Sequence, residues 1–266
     1  MITWPEARVV VTGGSSGIGL AVAEQMARRG ALVALCGRSE QRLQHARRKL
    51  GRAHALVCDV ADDRSVKSMV REAVRKLGRV DVLVNCAGQG VRGPVRHTSV
   101  GDVSALIEVN YLGAVRVTLE VLPLLLRQET GTVVNVASVA GLYGVPDLGA
   151  YGASKAALAA FGQALRLEVG GAGIRIVNVY PDYTSTPFFA REKQVGAARP
   201  PAVPFASAAW VAARVVRAVE RQRDEVVLSA RGRLLRVLAG LAPGVLDRLI
   251  SHWQRRHVAC AADRSS

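Results

Sequence analysis

The chain has 266 residues and a formal net charge of +15, and half of its residues are apolar, which suits one large α/β domain with a sizeable core. The arginines that carry most of this charge are spread along the chain without interleaved aromatic residues, which argues against nucleic acid as the main partner, and no uncharged apolar run reaches the roughly 18 residues that span a bilayer. The four cysteines lack C-x-x-C spacing and the histidines are scattered, so we expect no metal site, no disulfide scaffold and a cytoplasmic protein.

The chain begins with a strand, a glycine loop and a helix. The β-branched run over residues 7–12 predicts a buried strand with no signal peptide before it, and a helical pattern runs to Arg29. The loop between them reads Thr12-Gly13-Gly14-Ser15-Ser16-Gly17-Ile18-Gly19. Glycines let a backbone approach a phosphate, and the helix N-terminus offers free N–H groups. Glycine turns also occur without ligands, but this strand and helix context predicts a dinucleotide site.

The second predicted strand covers residues 31–36 and is followed by Gly37, Arg38 and a basic helix over residues 40–50. In a dinucleotide fold the end of this strand meets the adenosine ribose. An acidic side chain there suits a 2′-hydroxyl, whereas an arginine suits a 2′-phosphate. Arg38 therefore favours NADP(H), with NAD(H) as the second possibility, unless this arginine is only a surface charge.

Two further strands are predicted over residues 53–57 and 80–84. The first leads to Asp59 and Val60, which we place near the adenine, and Asp62 can cap the helix that follows it. The second leads to Asn85-Cys86-Ala87-Gly88, whose small residues let the backbone lie against a ribose. Strands and helices alternate about every 25 to 30 residues, which predicts a Rossmann-type doubly wound parallel sheet of about seven strands with helices on both faces.

Four polar residues in the second half of this pattern suggest chemistry. Asn110 lies in a long predicted helix over residues 102–121, where a buried amide needs partners. Ser138 follows the strand over residues 132–136, at the edge where such sheets bind ligands. Tyr151 and Lys155 are one helical turn apart and share a face. Because a cation favours the phenolate form of a tyrosine, the pair predicts a general acid/base.

Together these motifs, in this order and spacing over residues 7–190, resemble the short-chain dehydrogenase/reductase family. The resemblance implies that Tyr151 is the proton donor or acceptor and that Lys155 lowers its pKa and binds the nicotinamide ribose. It also implies that Ser138 holds the substrate oxygen and that Asn110 holds a water in a proton relay. The implied cofactor-binding residues are Thr12, Gly13, Ser15, Ser16, Gly17, Ile18, Gly19, Arg38, Asp59, Val60, Asn85, Ala87, Gly88, Tyr151, Lys155, Pro181, Thr184 and Thr186.

The sequence departs from the family pattern at two positions. Cys86 stands where a second asparagine is frequent, and Asp182 follows Pro181 where glycine is usual. A narrower resemblance, to long-chain lipid ketoreductases such as the 3-ketosphinganine reductases, rests on three shared strings. These strings are Val84-Asn85-Cys86-Ala87-Gly88, Asn110-Tyr111-Leu112-Gly113, and the Tyr180-Pro181 turn with Thr186-Pro187.

The C-terminal third predicts a substrate lid over residues 182–206 and an added helical segment. Three of the four phenylalanines and several prolines fall in the lid, which favours an apolar substrate. Residues 231–256 predict two basic amphipathic helices around Pro243-Gly244. These helices could bind an anionic membrane, cover the substrate pocket or contact another subunit. We therefore divide the chain into a catalytic domain, residues 1–230, and an extension, residues 231–266.

The sequence thus predicts an NADP(H)-dependent oxidoreductase that interconverts a ketone and a secondary alcohol on a fairly apolar small-molecule substrate. Two alternatives stay open: a non-catalytic nucleotide-binding regulator, and a lipid ketoreductase at a membrane surface. We expect a homo-oligomer that is cytoplasmic, with peripheral membrane contact through the C-terminal helices as an option.

Overall fold

The computed structural model describes residues 2–196 and 204–262, with side chains to residue 252. Its main sheet has seven strands: β1 Arg8–Thr12, β2 Leu32–Gly37, β3 Ala53–Val57, β4 Val82–Asn85, β5 Gly131–Val136, β6 Ile174–Tyr180 and β7 Glu225–Val227. All neighbours are parallel, in the order β3-β2-β1-β4-β5-β6-β7. This confirms the predicted doubly wound sheet, and the chain reverses its winding direction between β1 and β4, where such folds bind ligands.

Helices cover both faces of this sheet: α1 Gly17–Ala27, α2 Glu40–Leu50, α3 Asp63–Leu77, α4 Val100–Gln128, α5 Gly149–Val169 and α6 Ala208–Glu220, followed by α7 Ala230–Leu241 and α8 Pro243–Ala262. Alternate strand residues feed two apolar layers, since Val9 and Val11 pack with α1 and α6 whereas Val10 packs with α3, α4 and α5. A strand buried on both faces reads as a continuous apolar run, which is why these strands were predictable.

Helix α4 differs from its prediction in length and in form. It extends beyond the expected residues 102–121, and its segment Glu108–Leu112 is a π-helical turn. The wider turn changes which side chains face inward, and Asn110 is completely buried. Within the described residues, α4 is also the helix that could cross a membrane by length and composition. Val117, Val121 and Leu125 are fully buried against the sheet, as expected for a core helix.

The C-terminal segment forms two helices that meet at Ala242 and Pro243, as the sequence predicts. Leu235 on α7 packs against the cluster at the carboxyl ends of β5 and β6, which includes Val139 and Tyr180. The predicted lid is attached by two short parallel pairings, Thr184–Ser185 with Ala206–Ser207 and Val91–Arg92 with Lys193–Gln194. Lid residues 197–203, with Pro200 and Pro201, and the side chains of Trp253, Arg255 and Arg256 lie outside the described part of the chain.

Candidate active site

A cavity of about 640 Å³ opens at the carboxyl ends of the central strands. Most of the predicted site residues line it: Gly13, Ser15, Ser16, Gly17, Ile18, Gly19, Arg38, Asp59, Val60, Ala87, Gly88, Ser138, Tyr151, Lys155, Pro181, Thr184 and Thr186. Three other predicted residues, Thr12, Asn85 and Asn110, are buried behind the wall. The fold therefore gathers residues from seven segments of the chain around one cavity, and the three buried residues support it from behind.

The glycine loop is compact because side chains have no room in it. Gly13 has φ of 66°, and a Cβ at this position would be 2.8 Å from the Cys86 carbonyl oxygen. A Cβ at Gly19 would be 2.5 Å from the Gly13 oxygen. Helix α1 begins at Gly17, at the cavity. Free N–H groups and the positive end of a helix dipole thus face the space where a pyrophosphate fits.

Thr12 ties the glycine loop to the loop that follows β4. Its hydroxyl donates to the Val84 carbonyl at 3.3 Å and accepts from the backbone N–H groups of Cys86 and Ala87 at 3.1 and 3.2 Å. Thr12 therefore holds the cavity wall in place and does not itself line it. Asp59 shapes the loop that follows β3 in a similar way, because its carboxylate accepts from the Ala61 N–H at 3.0 Å.

Asn85 belongs to a ladder of buried amides that crosses three neighbouring strands. Its Nδ2 donates to Asn135 Oδ1 at 3.0 Å, and Asn135 Nδ2 donates to Asn178 Oδ1 at 3.1 Å. Gly162 on α5 lies against this ladder, since a Cβ there would be 2.3 Å from Asn178 Oδ1. The ladder links β4, β5 and β6, and Ser138 follows the end of β5.

Two arginines line the adenosine end of the cavity, Arg38 and Arg42. The sequence singled out Arg38 alone. Arg42 lies one helical turn later, in the first turn of α2, and the Ser39 hydroxyl that caps this helix accepts from its N–H at 3.4 Å. The signal that could have identified it is its place in the first turn of the helix that follows the end of β2, where the adenosine ribose is expected. Two cations at this end fit a 2′-phosphate better than a hydroxyl.

Tyr151, Ser138 and Lys155 meet at the centre of the cavity. The Ser138 and Tyr151 side chains both line it, and Lys155 Nζ donates to the Val136 carbonyl at 2.9 Å. A lysine ammonium has three donors, so this bond leaves donors for a ligand. A Cβ at Gly88 would be 3.5 Å from Lys155 Nζ and 3.2 Å from Asn110 Oδ1, so Gly88 lies close against both side chains.

Asn110 braces the helix that carries the tyrosine. Its Nδ2 donates to the Gln89 carbonyl at 3.0 Å and to Ser154 Oγ at 2.9 Å, and its Oδ1 accepts from the Gln89 N–H at 2.8 Å. Ser154 Oγ in turn donates to the Tyr151 carbonyl at 2.7 Å. The π turn of α4 is what turns this amide toward α5. The side chain is thus partnered, as a buried amide must be.

Burial dominates the pKa values of the tyrosine and the lysine. Burial raises the pKa of Tyr151 to about 12, although the nearby Ser138 hydroxyl acts in the opposite direction. Burial also lowers the pKa of Lys155 to about 8, because its charged form loses hydration. The expectation that Lys155 lowers the Tyr151 pKa is therefore not met in the protein alone. Tyr151 holds its proton at neutral pH, which suits a proton donor.

The other end of the cavity is apolar and was only partly foreseen. Phe188 and Phe189 come from the lid, as predicted, and the Phe188 ring is 5.8 Å from that of Tyr151, centroid to centroid. Further apolar residues of the lining are Val145 and Leu148, with Leu234, Leu235, Leu238, Leu246, Leu249 and Ile250 from α7 and α8. Helices α7 and α8 therefore cover the pocket, which is one of the three positions that the sequence left open.

The apolar end of the cavity also contains a buried ion pair that the sequence did not predict. Arg92 Nε donates to Glu192 Oε2 at 2.8 Å, and both side chains are almost completely buried. The pair joins the loop after β4 to the lid, and the partners are 100 residues apart. Among the described residues, no group of histidine, cysteine and acidic side chains could hold a metal ion.

A doubly wound sheet with a glycine loop at its switch point defines a dinucleotide-binding protein of the α/β class. A model of the short chain dehydrogenase family matches residues 7–195. The chain belongs to this family of oxidoreductases, whose members use NAD(H) or NADP(H) and act on small molecules.

Individual relatives agree with this assignment. The 3-ketodihydrosphingosine reductase of Bos taurus is 38% identical over 199 residues, which are 71% of this chain and 60% of that protein, so the match spans less than two thirds of its length. A fatty acyl-CoA reductase of Acinetobacter baylyi is 31% identical over 91% of this chain and 82% of its own. The structure of a short-chain dehydrogenase/reductase from Burkholderia phymatum in complex with NAD has a TM-score of 0.82 and 25% identity, and it covers 91% of this chain and 96% of its own.

Proposed function

We propose that the protein is an NADP(H)-dependent oxidoreductase that interconverts a ketone and a secondary alcohol on an apolar substrate. The observation that carries the proposal is one cavity with two unlike ends. Tyr151, Ser138 and Lys155 lie between a glycine loop with two nearby arginines and a wall of leucines and phenylalanines. The first end suits a phosphorylated cofactor and the second suits the apolar part of a substrate.

The residues of the chain divide the chemistry between them. When bound, the cofactor supplies or accepts the hydride. Ser138 holds the substrate oxygen beside the Tyr151 hydroxyl, and Tyr151 gives its proton to that oxygen in reduction or takes it back in oxidation. Lys155 orients the nicotinamide ribose and stabilises the phenolate that forms when the proton leaves. Asn110 supports the route by which a proton from solvent returns to the tyrosine.

The preference for NADP(H) rests on Arg38 and Arg42. Their guanidinium groups offer charge-assisted hydrogen bonds that a 2′-phosphate accepts and a 2′-hydroxyl uses only weakly. The related structure from Burkholderia phymatum contains NAD, so membership of the family does not by itself decide between the two cofactors. The choice depends on the residues of this chain. The names of the two relatives above refer to 3-ketodihydrosphingosine and fatty acyl-CoA, which supports a lipid-like substrate. The cytoplasmic location and the homo-oligomer stay predictions.

A panel of methyl ketones with chains of increasing length tests this proposal in the purified full-length protein with NADPH. Each CH₂ that enters the leucine-lined end contributes up to about 0.8 kcal/mol, so we expect kcat/KM to rise by up to about fourfold per CH₂ until the cavity is filled. If NADPH binds in a titration but no ketone is reduced faster than the blank, the nucleotide-binding regulator is the better description.

Helices α7 and α8 also favour a second property, docking to an anionic bilayer. Both leave apolar residues in contact with solvent: Leu234, Val237, Leu241, Val245 and Leu249. At 100° per residue, these form one stripe along each helix, and the exposed residues Arg231, Arg233 and Arg248 flank the two stripes. Such a surface combines apolar insertion with attraction to anionic lipid, which the net charge of +15 strengthens.

The position of the stripe selects a bilayer over a second copy of the chain. Leu234 and Leu249 are exposed and also line the cavity, so they stand at its mouth. A second copy on this stripe would bring like charges together and close the mouth. A bilayer on the same stripe would let an apolar substrate enter directly from the lipid.

Binding to vesicles tests the docking surface, and point variants suit it better than truncation because α7 and α8 are part of the pocket wall. We expect Leu241→Ser to weaken binding to vesicles with 30% phosphatidylserine by about tenfold, since a leucine loses its insertion energy. The matched control is Leu167→Ser on α5, because Leu241 and Leu167 are 82% and 83% exposed. Equal binding by both variants contradicts the proposal, and concentration-dependent self-association that Leu241→Ser abolishes would identify a second copy as the occupant.

A further inference from the structure

Asp182 stands where glycine is usual in the family, and its carboxylate is the anchor of helix α7. Its Oδ1 accepts from Arg231 Nη2 at 2.5 Å, and its Oδ2 accepts from Arg231 Nε at 3.2 Å. The Ser229 hydroxyl donates to the same Oδ2 at 2.8 Å. Asp182 is 14% exposed and Arg231 is 49% exposed, so the carboxylate of this forked pair is largely shielded from water while the guanidinium stays half exposed. One side chain at the end of β6 thus holds two residues at the start of α7.

The partners of Asp182 are the residues that begin the helix. Ser229 is the N-cap of α7, and its hydroxyl also accepts from the Gly232 N–H at 2.9 Å. Arg231 additionally lies 5.6 Å from the centre of the Tyr183 ring. The positive N-terminal end of the helix dipole also stabilises a carboxylate at this position. The contacts therefore define both the place where α7 begins and the direction in which it leaves the sheet.

The same helix start lies close to the catalytic residues. A Cβ at Gly232 would be 2.7 Å from Val139 Cγ2, so only glycine lets α7 approach this closely. Val139 follows Ser138, and its N–H donates to the Pro181 carbonyl at 3.0 Å. Asp182 follows Pro181 directly. Asp182, which anchors α7, and Ser138, which holds the substrate oxygen, are therefore linked through their chain neighbours by one backbone hydrogen bond.

We propose that Asp182 is a positioning residue that docks α7 over the cavity and so sets the reach of the substrate pocket. The next turns of the docked helix bring Leu234, Leu235 and Leu238 to the cavity wall. These side chains lie at the end of the cavity that receives the part of the substrate far from the carbonyl. The proposal rests on the proposed ketoreductase function, and it predicts that Asp182 discriminates between long and short substrates more than it affects the chemical step.

Two measurements on the full-length protein test this inference, with Asp182→Asn and Arg231→Gln as the variants. The first is hydrogen–deuterium exchange, which needs no substrate. We expect the amides of residues 230–241 to exchange about tenfold faster in both variants, because local opening of α7 costs less free energy, while those of α5 keep their rates. Asp224→Asn, an exposed aspartate in the turn before β7, is the matched control. Unchanged exchange in α7 overturns the docking role.

The second measurement is the ratio of kcat/KM between a long and a short methyl ketone with NADPH. We expect this ratio to fall about tenfold in both variants, through a higher KM for the long ketone, as for the loss of a charged hydrogen bond. Asp182→Glu keeps the carboxylate and should retain most of the ratio. Faster exchange with an unchanged ratio overturns the role in substrate reach. If the unmodified protein reduces no ketone, the proposed function fails, whereas the exchange result still decides whether Asp182 docks α7.

Discussion

Tyr151→Phe is expected to lower the rate of NADPH-dependent ketone reduction by about 10³-fold or more, because general acid/base groups contribute about 10² to 10⁴. The substitution removes one hydroxyl and keeps the ring, which packs 5.8 Å from Phe188. With its pKa raised to about 12, the Tyr151 hydroxyl keeps its proton at neutral pH. In the proposed mechanism this proton goes to the substrate oxygen, and Ser138 alone cannot replace it. Steady-state and single-turnover kinetics with the best ketone of the panel measure the loss.

Two comparisons make this result specific to proton transfer. The Kd for NADPH, measured by titration, should change less than threefold, because the phosphate-binding loop and the arginines are untouched. Tyr111→Phe removes a hydroxyl from a tyrosine whose ring packs edge to face on Phe161 and does not line the cavity. This control should keep its activity. More than a tenth of the turnover retained by Tyr151→Phe would show that another group donates the proton.

Replacing either arginine at the adenosine end with aspartate should shift the choice of cofactor from NADPH towards NADH. Each charge-assisted hydrogen bond contributes about 1.5 to 3 kcal/mol, so Arg38→Asp and Arg42→Asp should each weaken NADPH binding by about 10- to 150-fold. NADH carries no 2′-phosphate and gains a carboxylate that can accept from its ribose hydroxyls. Its Kd should therefore change little or improve. Titration of each variant with both cofactors gives the ratio directly.

A third arginine of the same helix separates local recognition from general attraction. Arg48 is exposed on α2 and does not line the cavity, so Arg48→Asp alters the net charge as much as the other variants do. We expect this control to bind NADPH nearly as the unmodified protein does, especially at 0.15 M salt, where distant charges are screened. Equal losses for NADPH and NADH in the Arg38 and Arg42 variants would show that neither reads the 2′-phosphate.

Local periodicity made much of the fold predictable. The central strands β1, β2 and β4 are buried on both faces, so each of them reads as an apolar run. Helices α2 and α3 begin at capping residues that the sequence displays. Tyr151 and Lys155 share a face because a helical turn has nearly four residues, and this holds wherever the helix lies. The glycine loop is likewise defined largely by its own residues, since Gly13 has a positive φ and a Cβ at Gly19 would meet the Gly13 oxygen.

Other features depended on contacts between distant parts of the chain. A π turn, which no simple period predicts, turns Asn110 inward, and burial raises the pKa of Tyr151 against the expected influence of Lys155. Asn85 reads like a ribose contact, yet its partner is Asn135 on the next strand. Each of these outcomes depends on which segments become neighbours after folding, and spacing along the chain carries no information about that.

By itself, the sequence determined the doubly wound sheet, the glycine loop and the set of polar residues that meet in one cavity. Those features follow from short-range rules of backbone conformation and from the alternation of apolar residues. Only the tertiary structure decided what covers the cavity and how it is held there. The bond between Asp182 and Arg231 spans 49 residues, and α7 reaches the pocket because a carboxylate just after β6 holds its first turn.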